Sequence, residues 1–137
     1  MASFNKFNPF VEDVAEKKHN LGSDQLKIAL TAAANAPVAA NGTLANLTEI
    51  SYTNCSSRLV TTSTSSQTSG TYKLVLADLV LTASGTVGPF RYVVLYNDTA
   101  TNDELIGWYD YGSDLTLNNG ETFTIDFDGS AGALTIA

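Results

Sequence analysis

Few residues in this chain could move a proton or attack a bond. It contains one histidine, His19, and one cysteine, Cys55. A histidine acts as general base in a triad only beside a nucleophile and an orienting acid. No G-x-S-x-G stretch accompanies His19, and the run "TASGTVG" has no base near it in sequence. His19 is therefore expected to be solvated near a helix C-terminus, where the dipole favours its charged form. Cys55 has no second cysteine to pair with and cannot build a zinc site alone, so it reads as a small, partly buried hydrophobe.

The carboxylates are the larger resource. Asp98, Asp103 and Glu104 form one group, and Asp110, Asp114, Glu121, Asp126 and Asp128 a second. Two carboxylates across a groove can hydrolyse a glycosidic bond, and Trp108, Tyr109 and Tyr111 could stack on the sugar. Most of these acids, however, fall in turn sequence, where Asp bends and caps the backbone. The aromatics fall at strand spacing, where they commonly form cross-strand pairs. "DFDGS" at 126–130 lacks the third acidic position and the closing Glu of an EF-hand loop, and reads as a turn through Gly129. "GTVG" at 85–88 is followed by neither Lys-Ser/Thr nor a helix, so it is not a phosphate loop. No catalytic residue, cofactor or metal ligand is assigned, and the chain is not expected to be an enzyme.

The elements that would position these residues are mostly strands. Asn8-Pro9 reads as an N-cap with proline at the first helical position. Val11, Val14 and Ala15 continue at helical spacing, and Gly22 can end the helix. This predicts a helix over 9–20, preceded by Phe4, Phe7 and Phe10, which are costly to leave in water. "DQLKIALT" alternates as a half-buried strand. "AAANAPVAANGTLANL" is broken by Pro37 and Asn41-Gly42 and reads as an extended loop. "TEISYTN" and "SRLVTTST" are expected as short strands, and "STSSQTSG" at 63–70 as an exposed hairpin tip or mobile loop. From Tyr72 the strand pattern strengthens through "TYKLVLADLVLTASG", "PFRYVVLYN", "LIGWYDYG", "SDLTL" and "TFTIDFD" to the final "ALTIA". Eight to nine short strands with regular turn signals predict an all-β antiparallel sandwich. Residues 1–22 are assigned to an N-terminal arm and short helix, and 23–137 to the β-sandwich domain.

The composition narrows the function classes. The 137 residues are 44% hydrophobic and 15% charged, with a net charge of −7. That favours a folded chain over a disordered one, and the length suits one core without disulfides. Seven scattered basic residues make no stripe for a phosphate backbone, and anionic lipid would repel so acidic a protein. The start of the sequence shows no apolar core of a signal peptide. No apolar run approaches the roughly 20 residues of a membrane span. Synthesis in a cytoplasm is expected, and the sequons at Asn41, Asn46, Asn54 and Asn97 read as by-products of a Thr- and Asn-rich composition.

"FVEDVAEKKHNLGSDQLKIALT", "GPFRYVVLYNDTA", "LIGWYDYG" and "NNGETFTIDFD" together resemble small virion proteins of tailed bacteriophages, among them capsid cement or decoration proteins. The resemblance spans both ends of the chain and is weakest over about residues 50–70. It implies a jelly-roll-like β-sandwich on the capsid surface of a virion made in a bacterial host. It implies the major capsid protein as partner, self-association as a dimer or trimer, and no nucleic-acid or membrane contact. The candidate interface residues are Phe4, Phe7 and Phe10 in a gripping arm, Arg91 and Trp108. Arg91, in an acidic chain with few cations, is expected to pair with an Asp in the fold or across an interface. On the arm hypothesis, deleting residues 2–10 abolishes capsid binding and leaves the domain folded. The alternatives are a tail or tail-tube component and a carbohydrate-binding β-sandwich. The last needs Trp108 or Tyr109 exposed in a concave site.

Overall fold

"VGPFRYVVLYN" can keep both faces apolar only if both are covered, and the computed structural model, which describes residues 2–137, shows what covers them. The elements are β1 (Phe4–Lys6), α1 (Pro9–Ala15), β2 (Leu26–Thr31), β3 (Leu59–Val60), β4 (Thr62–Thr68), β5 (Thr71–Leu76), β6 (Leu79–Thr82), β7 (Val87–Asn97), β8 (Leu105–Leu117), β9 (Thr122–Ile125) and β10 (Leu134–Ile136). Their pairings are antiparallel. The main sheet has the order β1-β8-β7-β2-β3, a second sheet β10-β5-β4, and β6 pairs with β9.

Strand alternation sends successive β7 residues to opposite faces. Phe90, Val93 and Leu95 join Leu26, Ile28, Leu74, Leu81, Ile125 and Phe127 in the core. Val94 and Tyr96 face the other way and form a smaller cluster with Phe7, Ala29 and Leu105, covered by Leu44, Leu47 and Trp108. A 3₁₀ turn over Leu44–Asn46 holds part of that cover, closed by a reciprocal capping box between Thr43 and Asn46. The loop 32–50 thus supplies the second face's lid. This is also why β2 is buried from Ile28 to Thr31 rather than half-buried as its alternation suggested.

The all-β antiparallel sandwich read from the sequence describes the molecule, with 46% of residues in strands and 10% in helix. The strands are divided five, three and two among its sheets. Three local expectations are corrected. The helix ends at Ala15, not 20, because Lys17 adopts φ +66° and closes a Schellman turn. In that turn Lys18 N–H donates to Asp13 O at 2.8 Å and Lys17 N–H to Val14 O at 3.3 Å. Asn8 makes no side-chain cap bond; it opens the helix through proline alone. "TEISYTN" is not a strand: Ile50 N–H donates to Leu30 O, and the Tyr52 hydroxyl accepts from Leu30 N–H. That irregular strip seals the end of β2 instead of extending the sheet.

"STSSQTSG" forms most of β4 and its turn into β5, with Ser69 and Gly70 both at positive φ. Two left-handed residues in a two-residue hairpin match the strand twist. "LIGWYDYG" and "SDLTL" are one continuous β8, bent where Gly112 sits at φ +89°.

Candidate functional site

The densest polar cluster lies where the segment after α1 meets the end of β7 and the start of β8. His19 is buried, not solvated, and Asn97 is fully enclosed. Asn97 Oδ1 accepts the backbone N–H groups of Thr99 and Ala100, at 3.0 and 3.1 Å. Those two bonds fix the amide orientation, so Nδ2 faces His19 Nδ1 at 3.0 Å and Asp24 Oδ2 at 2.6 Å. Asn20 N–H also donates to Asp24 Oδ2, at 2.8 Å. Since Asn97 Nδ2 is a donor, His19 Nδ1 must accept, which leaves the proton of the neutral ring on Nε2. The ring packs on Phe10 at 5.2 Å.

Burial pulls the His19 pKa below its ordinary value, against the upward pull of Asp13, Glu104 and Asp24. Glu104 is buried too; its Oε1 accepts Asn102 N–H at 3.2 Å. Oε2 of Glu104 and Nε2 of His19 are buried without a partner. Outside this cluster lies a depression of about 520 Å³ lined by Lys17, Lys18, Asn20, Asp24, Thr99 and Glu104, among others, and by no aromatic ring.

Several of the remaining acids hold backbone N–H groups. Asp114 Oδ1 accepts Ala33 N–H, and Glu121 Oε1 accepts Asn118 N–H. Asp128 Oδ1 accepts the N–H groups of Ser130 and Ala131, and these bonds hold its pKa low. The turn runs through Gly129, Ser130 and Ala131 as expected, is closed by Gly132 N–H donating to Asp128 O at 3.0 Å, and leaves through Gly132 at φ +85°. Asp103 has its pKa raised by burial, then by neighbouring Asp98 and Glu104. Among the described residues no group of three His, Cys, Asp or Glu could hold a metal ion. Cys55 is half-buried, and burial raises its thiol pKa, so it is a poor nucleophile.

The five candidate interface residues part company. Phe7 is fully buried in the outer cluster, and Phe10 is buried in the main core. The two rings go to clusters on opposite faces of the main sheet and are not free to grip a neighbour. Phe4 is half-buried, packs on Tyr109 at 5.4 Å, and lies in β1, which pairs with β8. Residues 4–15 are thus part of the folded body rather than an arm. Their loss would open both clusters, so deletion of residues 2–10 is expected to destabilise the domain rather than leave it folded.

Trp108 is half-buried beneath Phe7, with ring centroids 4.6 Å apart. Tyr109 is buried, and Tyr111 packs edge-on to Phe123. The aromatic trio is committed to packing. Arg91 finds its acid inside the fold: Nε to Asp110 Oδ1 is 2.8 Å and Nη2 to Oδ2 is 3.1 Å. The His19–Asn97–Asp24 cluster had no signal in the linear sequence, because His19 and Asn97 lie 78 residues apart.

The outer surface offers a different kind of feature. β4 pairs only with β5, so one edge of its backbone is free. Its residues, TSTSSQT, carry no charge and are mostly exposed. No helix among the described residues is long and apolar enough to cross a membrane. No protein-family model, curated protein or solved structure matches the chain.

Proposed function

We propose that this chain is a structural protein of a bacteriophage virion, a cement or decoration protein. In this reading it binds the outside of the head, stabilises contacts between major capsid protein subunits, and acts as a homo-oligomer. The observation that carries the reading is the free β4 edge. Proteins that stay monomeric blunt an edge with Lys, Pro, a very short strand or a covering loop. Here the bulge between Thr62 and Thr64 blunts only one end, and the rest is an uncharged row of Ser, Thr and Gln. Such a row can hydrogen-bond a neighbouring strand and imposes no charge repulsion on it, although the whole chain carries −7. The sequence resemblance to phage virion proteins supplies the identity of that neighbour.

The test is to add the purified chain to phage heads lacking it and to image the particles. Regular density over the head lattice, lost in a Ser65→Pro/Gln67→Pro variant that still folds, supports the proposal. Density confined to the tail, or none on the virion together with measurable sugar affinity, overturns it.

A further inference from the structure

The His19 cluster has a property that its geometry sets independently of any partner. It joins the segment 16–24 to the sheet through a chain of bonds from His19 to Asn97 to Asp24 to the Asn20 backbone. Each link has a fixed direction. Asn97 cannot rotate its amide without breaking the bonds from Thr99 and Ala100 and the bond to Asp24. Its Nδ2 therefore offers only hydrogens to His19. A neutral ring accepts one of them. A protonated ring carries a hydrogen on Nδ1 as well, so two donors face each other at 3.0 Å.

We propose that His19 is a proton-sensitive latch: neutral, it fastens the segment 16–24 to the end of β7, and protonated, it releases that segment. Charged groups surround the ring on several sides. Asp13 on α1, Asp24 before β2 and Glu104 at the start of β8 favour the charged ring, and Lys18 opposes it. Lys17 and Tyr72 line, with His19, a neighbouring depression. Asp13 is already engaged by Lys18 at 3.4 Å and by the turn it closes. Enclosure and the fixed donor from Asn97 prevail.

The sign follows from linkage. The folded pKa lies below the ordinary 6.5. The attachment is therefore complete above that value and is lost as pH falls from 6.5 towards the folded pKa. Within that window the released population rises as pH falls.

Hydrogen exchange of the full chain, corrected for intrinsic rates, tests this at about pH 7.5 and pH 5. Exchange over 16–24 is expected to rise at the lower pH, with β2 and central β7 unchanged. His19→Gln keeps an acceptor for Asn97 but cannot titrate there, so its exchange is expected to be the same at both pH values. Asn97→Asp turns the facing donor into an acceptor, so its His19 NMR titration midpoint is expected to rise above that of the parent. This second variant and the parent's own ring titration stand even if His19→Gln folds poorly. The latch is overturned by equal exchange at both pH values, by the same pH response in His19→Gln, or by a parent midpoint at or above 6.5.

Discussion

Arg91 on β7 and Asp110 on β8 face each other across the strand pair and share two hydrogen bonds, at 2.8 and 3.1 Å. The guanidinium lowers the Asp110 pKa first, and the Gly112 N–H adds to it. A depressed carboxylate pKa gives stability that is present above the unfolded pKa and lost as pH falls through the folded one. Arg91→Ala is expected to move the Asp110 midpoint up towards the ordinary 3.8. It should stay somewhat below, because Gly112 N–H remains. A carboxyl NMR titration reads the shift. An unmoved midpoint would show that the pair does not persist in solution.

Phe7→Ala removes a fully buried ring that packs against Trp108. Truncating a buried Phe typically costs about 3–5 kcal/mol. Chemical denaturation should show that loss, and Trp108 emission in the folded variant should shift to the red as its cover disappears. A cost below about 1 kcal/mol would mean that the outer cluster collapses to fill the gap.

Gly107→Ala probes the attachment of β1. A methyl group there would meet the Phe4 ring and sit 2.6 Å from Asn5 O, which is backbone and cannot turn aside. The variant should lose roughly 1–3 kcal/mol through overpacking. Amide protection should fall over residues 4–7 before it falls elsewhere. Uniform loss across the chain would show that β1 does not come away as a unit.

Ser69→Asn tests the β4–β5 turn. Ser69 holds φ +51° before Gly70 at φ +85°, a conformation that Asn tolerates better than Ser. The variant should gain up to about 1 kcal/mol, seen as a higher Tm. A lower Tm would mean that the serine hydroxyl contributes something the backbone geometry does not reveal.

Sequence legibility tracked how local each signal was. β7, β8 and β9 were readable because alternation and β-branched or aromatic residues agree over many positions. Phe123, Ile125 and Phe127 point inward as their spacing required. β4 is harder: TSTSSQT has no apolar face, so 63–70 is expected as a hairpin tip or mobile loop although most of it is strand. The helix end is unmarked in the sequence because Lys17 takes a backbone conformation usually left to glycine. The phenylalanines announced that they must be buried, but no local pattern could say that Phe7 and Phe10 serve opposite faces. The His19 cluster depends on Asn97 and Glu104, which reach it only through the long β7–β8 excursion. Its chemistry lies in bond directions that one-dimensional spacing does not encode.

The register of β1 on β8 also constrains the order of events during synthesis. Asn5 pairs with Trp108, 103 residues further on. While the ribosome works from the N-terminus, Phe4, Phe7 and Phe10 have no β8 to meet until Leu105–Leu117 has emerged. Docking of the first strand must therefore come late, after the more local hairpins have formed. Until then three aromatic rings of the nascent chain lie uncovered, apolar surface open to misassociation.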